Sequence, residues 1–240
     1  MDEARARAPG ALLARCPRRA EALAPAVVLL GLLGFALLAG LVRAEPVQRL
    51  DELAVLALRH PGDPGRLVGP GWVSEAARDV TALGSTVVLT LLTLVAAGWL
   101  GLRRSWADAG LLGLALAGGS ALTWSLKALF ERERPDLVTH LDAVSSPSFP
   151  SGHALQAAVV YLTLGAVLAR LLPGRAEQRY ALAVALGLAL LVGASRIVVG
   201  VHYPTDVLAG WCVGAAWAAV CWCAARRLRR SDAAVSAAAP

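Results

Sequence analysis

Residues 195–206 read SRIVVGVHYPTD, and this polar stretch separates the last two apolar runs of the chain. A charged group at the end of a membrane-spanning segment is costly unless it is paired or used. Pro204 suits the first turn of a helix, because its missing N–H would be unpaired there in any case. His202 therefore precedes a helix and Asp206 lies in its first turn, within reach of the imidazole. Such an imidazole can act as a base or nucleophile, although the pattern alone favours an ordinary outer loop with a capping aspartate.

The composition indicates an integral membrane protein. Of the 240 residues, 57% are hydrophobic and only 17% are charged, and the mean hydropathy is +0.60. A soluble domain of this length would carry more charge. The formal net charge is +6, but the arginines cluster at the ends of apolar runs, as they do in membrane proteins. We therefore expect the bilayer, and not nucleic acid, as the partner of this charge.

Six uncharged runs predict an all-α bundle of six transmembrane helices in a single domain, residues 1–240. The runs are residues 22–42, 80–102, 109–126, 154–169, 180–194 and 207–225. The first run is longer than the usual apolar core of a signal peptide, so we expect an uncleaved span. Residues 43–80 are mixed in character, and the spacing of their apolar side chains predicts an amphipathic helix on the membrane surface. The Ala-rich tail, residues 231–240, is predicted to be disordered.

The distribution of basic residues predicts the orientation in the membrane. Arginines concentrate in residues 1–20, at 103–104, at 170–179 and at 226–230. The positive-inside rule then places both termini in the cytoplasm, with residues 1–20 as a cytoplasmic tail and residues 43–80 outside. We expect a multi-pass protein of the cytoplasmic (inner) membrane.

This topology brings three polar clusters to the extracytoplasmic face. Lys127 and Arg134 follow the third run, residues 150–153 precede the fourth, and residues 196–206 separate the fifth from the sixth. Lys127 and Arg134 are seven residues apart, so they would share one helical face if the third helix continued. Chance does not explain why all three clusters lie at one face, so we expect them to form a common site.

The residue types in these clusters predict a phosphate site. Ser151 is a good N-cap, and it would leave the N–H groups of Gly152 and His153 pointing out of a helix start, where an anion binds well. Arg196 adds a third cation to Lys127 and Arg134. Three cations and a helix N-terminus fit a dianionic tetrahedral group, most simply a phosphate.

Two histidines at one phosphate could act as nucleophile and as general acid. His202, oriented by Asp206, is the better nucleophile, and His153, at the helix start, is the better acid for the departing oxygen. The cations and N–H groups would stabilise the charge that develops on the equatorial oxygens. Because this face has no carboxylate cluster suited to two metal ions, we expect a reaction without metal or other cofactor.

The three clusters together resemble the three-part signature of the type 2 phosphatidic acid phosphatase superfamily. The matching segments are Lys127-x6-Arg134-Pro135, Pro150-Ser151-Gly152-His153 and Ser195-Arg196-x5-His202-x3-Asp206. The resemblance implies a phosphohistidine on His202, His153 as general acid and Asp206 as the partner of His202. It also implies phosphoryl binding by Lys127, Arg134, Ser151, Gly152 and Arg196.

The function that follows is hydrolysis of a lipid phosphate or diphosphate. Undecaprenyl diphosphate, phosphatidylglycerophosphate and phosphatidic acid are the main candidate substrates. Two alternatives stay open: a lipid phosphotransferase of the same superfamily, and a lipid transporter or binding protein without catalytic activity. A soluble vanadium haloperoxidase shares the signature, but six apolar runs argue against it.

Overall fold

The structure, a computed structural model, describes residues 18–142 and 146–238, and over these residues the chain is mainly helical. The helices are α1 (Arg18–Leu41), α2 (Glu45–Leu56), α3 (Trp72–Ala82), α4 (Thr86–Leu102), α5 (Trp106–Phe130), α6 (Gly152–Leu171), α7 (Arg175–Val198) and α8 (Pro204–Ala238). Two short antiparallel strands, β1 (Arg59–His60) and β2 (Asp63–Leu67), form a hairpin between α2 and α3.

The helical membrane bundle predicted from the sequence is confirmed, with five or six candidate spans among the described residues. Five stretches among the described residues are long and apolar enough to cross a bilayer: Leu23–Leu41, Trp106–Phe130, Gly152–Leu171, Arg175–Val198 and Pro204–Arg227. The count becomes the predicted six if α3 and α4, which meet at an angle of 48°, are taken together as one broken span. The predicted second span was continuous from residue 80, but the chain breaks before α4 because the Ser85 hydroxyl accepts from the Val88 N–H at 3.3 Å and starts a new helix.

Helix α6 lies at the centre of the bundle and contacts α4, α5, α7 and α8. Its approach to α8 depends on small residues. A Cβ added at Gly210 would lie 2.7 Å from the Ser151 carbonyl oxygen, and one at Gly214 would lie 2.5 Å from the Leu155 carbonyl oxygen. Such close backbone contact is the usual means of helix association in a membrane, where lipid offers no hydrophobic driving force between helices.

The first helix, α1, lies at the edge of the bundle and packs chiefly against α8. Its leucines are largely exposed, as expected for side chains that face lipid. At its end, Val42 joins a buried apolar cluster with Phe149 and Ala209. The first span is thus tied to the bundle mainly through the last one.

The segment between α1 and α4 contains more structure than the predicted surface helix. The predicted amphipathic helix is confirmed as α2, which exposes Leu50 and Leu53 and buries Asp51 and Val55. The Pro-Gly-rich residues that follow form the hairpin, in which His60 pairs with Asp63. Helix α3 then packs against α7.

At the C-terminus, the predicted disorder is wrong for residues 231–238, because α8 continues as a helix through Ala238. Alanine has the highest intrinsic helix propensity, and this tail is rich in it. Residues 239–240 lie outside the described part of the chain, as do residues 1–17 of the predicted cytoplasmic tail.

Candidate active site

The first cluster takes its shape from the end of α5. The helix stops at Phe130, and Glu131 adopts a left-handed conformation with φ of 47°. The third helix does not continue to Arg134, so the condition for Lys127 and Arg134 to share one helical face is not met. Both side chains nevertheless line the same pocket. Lys127 reaches it from the last helical turn and Arg134 from the following loop.

Both cations bind neutral oxygens of the loop before α6, and Arg134 also binds one of the α7–α8 connection. The Lys127 ammonium donates to Ser146 Oγ at 3.0 Å and to the Pro147 carbonyl. The Arg134 guanidinium donates to the Ser146 carbonyl and to the Val201 carbonyl, each at 2.7 Å. Burial, together with the charge of Arg196, lowers the pKa of Arg134 to about 10, so this group stays cationic at neutral pH. The pocket therefore keeps the positive charge of Arg134.

The second cluster forms the start of α6 as predicted. Ser151 is the N-cap, and its hydroxyl accepts from the Ala154 N–H at 3.5 Å. Its own N–H donates to the Asp206 carbonyl at 2.9 Å, which joins the start of α6 to the first turn of α8. Gly152 and His153, the first two helical residues, line the pocket. The positive end of the α6 dipole thus faces the space between the cations.

In the third cluster, His202 lies in the short connection between α7 and α8 and is almost completely buried. Its Nε2 atom is 3.2 Å from Nη1 of Arg134. Because a guanidinium can only donate, Nε2 carries the lone pair and Nδ1 carries the proton. Burial, followed by the charges of Arg134 and the other nearby cations, lowers the pKa of His202 well below 6.5. The ring is therefore neutral at neutral pH, with its lone pair on Nε2.

Asp206 faces the other side of the imidazole, as the spacing predicted. Its Oδ2 atom lies 3.5 Å from Nδ1 of His202, which is longer than an ordinary hydrogen bond. The same oxygen accepts from the Tyr203 N–H at 2.9 Å, and Oδ1 accepts from Arg132 at 2.6 Å. The carboxylate is thus held in place by several donors beside the ring.

Arg196 enters the pocket from the end of α7 and is 1% exposed. Its Nη1 atom donates to Thr81 Oγ1 at 2.9 Å and to Asp142 Oδ2 at 2.7 Å. The third predicted cation is therefore present, and a carboxylate from the α5–α6 loop partly balances its charge.

These side chains surround one pocket of about 250 Å³. Six of the eight predicted site residues line it: Lys127, Arg134, Gly152, His153, Arg196 and His202. Ser151 and Asp206 are fully buried behind that wall. A larger pocket of about 530 Å³ lies beside the hairpin, but Arg59 and His60 are its only ionisable lining residues, so we place the candidate site in the smaller one.

Comparison with known proteins identifies the family of this chain. Residues 108–230 match the family model of the PAP2 superfamily. The chain belongs to the PAP2 superfamily. It is 35% identical over 185 residues to phosphatidylglycerophosphatase B of Bacillus subtilis, an alignment that covers 75% of this chain and 85% of that protein. It is also 35% identical over 121 residues to decaprenylphosphoryl-5-phosphoribose phosphatase of Mycobacterium tuberculosis, covering 49% of this chain and 60% of that protein.

A solved PAP2 structure confirms the fold. The crystal structure of a transmembrane PAP2 type phosphatidylglycerolphosphate phosphatase from Bacillus subtilis superposes with a TM-score of 0.76 at 32% identity. The match covers 83% of this chain and 96% of the other. This PAP2 protein is therefore a multi-pass membrane protein with the architecture of a known membrane phosphatase.

Two charged residues of this PAP2 protein that contact the third cluster, or a residue bound to it, were not among the predicted site residues. Arg132 lies between the two predicted cations of the first cluster and binds Asp206, while Asp51 of α2 binds Arg132. Arg132 offered one signal, because it is a further cation in a short stretch that already held two. Asp51 offered none, since it is an acidic residue within an amphipathic surface helix.

Proposed function

We propose that this PAP2 protein is a membrane phosphatase that releases inorganic phosphate from a lipid phosphate or diphosphate through a phosphohistidine on His202. The observation that carries the proposal is the arrangement around Nε2 of this residue. A neutral imidazole nitrogen opens onto a pocket that also contains three cations, a helix N-terminus and a second histidine. Relatives named as phosphatases of phosphatidylglycerophosphate and of decaprenylphosphoryl-5-phosphoribose support the assignment to lipid substrates.

In the first step, Nε2 of His202 attacks phosphorus while the bond from phosphorus to the lipid oxygen breaks. His153 donates a proton to the departing oxygen. Before the attack, Arg134 must break its hydrogen bond to Nε2 and donate the same N–H to a phosphoryl oxygen, which frees the lone pair for reaction. Substrate binding and activation of the nucleophile are therefore linked through one guanidinium.

In the second step, water attacks the phosphohistidine and His153 takes up the proton that the water loses. The bond from phosphorus to Nε2 breaks, so inorganic phosphate leaves and both histidines return to their starting states. Lys127, Arg134 and Arg196 stabilise the charge on the equatorial oxygens during both steps, together with the α6 N-terminus at Ser151 and Gly152. Because the chain itself supplies this positive charge, the proposed reaction needs no metal ion.

The basic residues at the α4–α5 and α6–α7 connections support a site on the extracytoplasmic face, with both termini in the cytoplasm. The candidate pocket lies at the opposite ends of these helices. A reporter fused after Pro240 should read cytoplasmic in intact cells, whereas a periplasmic reading would invert the proposed topology.

The central test is phosphate release by purified protein in detergent from a panel of lipid phosphates and diphosphates, starting with phosphatidylglycerophosphate. His202→Ala should lower kcat by about 10³-fold or more, because no covalent intermediate can form. His60→Ala, which removes an exposed histidine of the hairpin, is the matched control and should leave kcat unchanged. Labelled substrate quenched in alkali should leave label on wild type and none on His202→Ala. Equal turnover by His202→Ala and wild type, or no release from any lipid, would overturn the proposal.

A further inference from the structure

Asp51, Arg132 and Asp206 form a buried chain of alternating charge that joins the segment outside the membrane to the third cluster. Nη2 of Arg132 lies 2.9 Å from Asp51 Oδ2, and Nη1 lies 2.6 Å from Asp206 Oδ1. The two carboxylates are 2% and 0% exposed, and the Arg132 side chain is 12% exposed. Removing one partner from a buried ion pair leaves an uncompensated charge, so each member of this chain depends on the others.

The same residues hold the first turn of α8. Asp51 accepts from the Thr205 N–H at 3.1 Å and from the Thr205 hydroxyl at 2.5 Å. An N–H at a helix start has no partner within its helix, and the carboxylate of Asp51 supplies one. The Arg132 guanidinium also lies over the Tyr203 ring, 4.4 Å from its centroid. Thr205 is therefore hydrogen-bonded to α2, and Tyr203 packs against Arg132 of the α5–α6 loop.

These contacts fix the orientation of Asp206, the carboxylate beside His202. Asp206 cannot turn freely, because Arg132 binds one of its oxygens and the Tyr203 N–H binds the other. Although burial acts to lower it, the charges of Asp206 and Asp51 raise the pKa of Arg132 above its ordinary value, so the guanidinium stays charged. The carboxylate that faces Nδ1 therefore keeps one orientation.

We infer that Asp51 and Arg132 are positioning residues that act through Asp206 on His202, so that α2, outside the membrane-spanning helices, is part of the support of the active site. The inference rests on the proposed phosphatase function. Neighbouring contacts point the same way, because Arg59 of β1 donates to the Val198 carbonyl at 3.0 Å and Thr81 of α3 accepts from Arg196. Three elements of the segment between α1 and α4 thus hold the α7–α8 connection or the residues next to it.

The test compares kcat, KM and the pH profile of kcat/KM for wild type, Asp51→Asn and Arg132→Gln. Both variants should lose kcat by about 10- to 100-fold while KM changes by less than about threefold, because the nucleophile is misplaced and the phosphate-binding cations are intact. Arg132→Lys, which keeps the charge but loses the two-pronged contact, should recover part of the lost kcat.

The pH profile separates electrostatic positioning from a purely structural role. The groups that face His202 are Lys127 of α5, Arg134 of the α5–α6 loop, His153 of α6, Arg196 of α7 and Asp206 of α8. Asp51→Asn removes a negative charge behind them, so His202 becomes harder to protonate and the acid limb should move to lower pH. Arg132→Gln removes a positive charge, so the acid limb should move to higher pH. Loss of structure alone would give no such pair of opposite shifts.

Asp108→Asn is the matched control. Asp108 is also a buried carboxylate held by two arginines, Arg170 and Arg229, but it lies at the opposite end of α5. Its variant should keep the kcat and pH profile of wild type, which excludes a general effect of breaking a buried ion pair. If Asp51→Asn does not yield folded protein, Thr205→Val removes the hydroxyl contacts with Asp51 and Arg132 while those two residues stay paired with each other, and it should lower kcat in the same way.

Several outcomes would overturn the inference. Turnover within about threefold of wild type for the folded Asp51→Asn or Thr205→Val variant would do so, as would acid limbs that move together or not at all. These results, obtained with an active wild type, leave the proposed function intact. A wild type that releases no phosphate from any lipid overturns the proposed function and this inference with it.

Discussion

The contact of α6 with α8 at Gly210 supports a quantitative prediction about catalysis. A Cβ at this position would lie 2.7 Å from the Ser151 carbonyl oxygen and 3.1 Å from Ala154 Cβ, whereas ordinary contact begins near 3.4 Å. Gly210→Ala must therefore open the helix pair by about 0.7 Å at this point. Whichever helix moves, the two histidines separate, because His153 belongs to α6 and His202 directly precedes α8.

We expect this displacement to cost catalysis more than stability. A misplacement of about 1 Å can lower a rate by about 10²-fold, so Gly210→Ala should lose kcat by between 10- and 100-fold. Overpacking costs about 1–3 kcal/mol, and about 1 kcal/mol of this is offset by the better helix propensity of alanine. The fold should therefore survive with a modestly lower Tm.

The assay measures phosphate release and thermal unfolding of the variant in detergent. Gly113→Ala is the matched control, because Gly113 is also helical but has open space around its Cα, so its kcat should equal that of wild type. If Gly210→Ala turned over within about threefold of wild type, the α6–α8 separation would not determine the geometry of the two histidines, and the reasoning would be refuted.

Three further predictions concern the pocket itself. Arg134→Lys should lower kcat/KM by on the order of 10²-fold, because lysine cannot donate to both the Ser146 and Val201 carbonyls and also reach the substrate; a rate near that of wild type would contradict the role of the guanidinium. The acid limb of the kcat/KM profile should lie below pH 6.5, since burial and nearby cations lower the pKa of His202 and keep the ring neutral as the pH falls; a limb at or above that value would show a protonated nucleophile. Vanadate should inhibit as a phosphate mimic, whereas EDTA should leave the rate unchanged, and strong inhibition by EDTA would refute the metal-free reaction.

Local patterns in the sequence predicted the bundle and most of the pocket. Apolar length alone located the spans, and the preference of serine for helix starts located the cap at Ser151. The end of α5 was harder to predict, because the left-handed conformation of Glu131 leaves no reliable mark in the residue type. Lys127 and Arg134 therefore meet at one pocket by a route that their helical spacing did not predict.

The pairing of Asp51 with Arg132 behind the pocket could not be predicted from the sequence, for a different reason. Asp51 and Arg132 are 81 residues apart in the chain, and their pairing depends on how α2 packs against the loop after α5. No periodicity or capping rule connects such residues. At the α3–α4 break, by contrast, a local signal exists. Gly84 and Ser85 are residue types that often end and start helices, but they lie inside an otherwise uninterrupted uncharged run, which predicted one continuous span.

The packing of α1 against α8 has a consequence for how the protein is made. Pro204 comes 163 residues after Leu41, so at about 5–20 residues per second roughly 8 to 30 s of synthesis separate the two helices. During that interval α1 lacks its main partner. A ribosome that has not yet passed residue 204 has produced neither the surface that receives α1 nor Asp206 beside the nucleophile. Docking of α1 and completion of the site therefore both wait for the synthesis of α8.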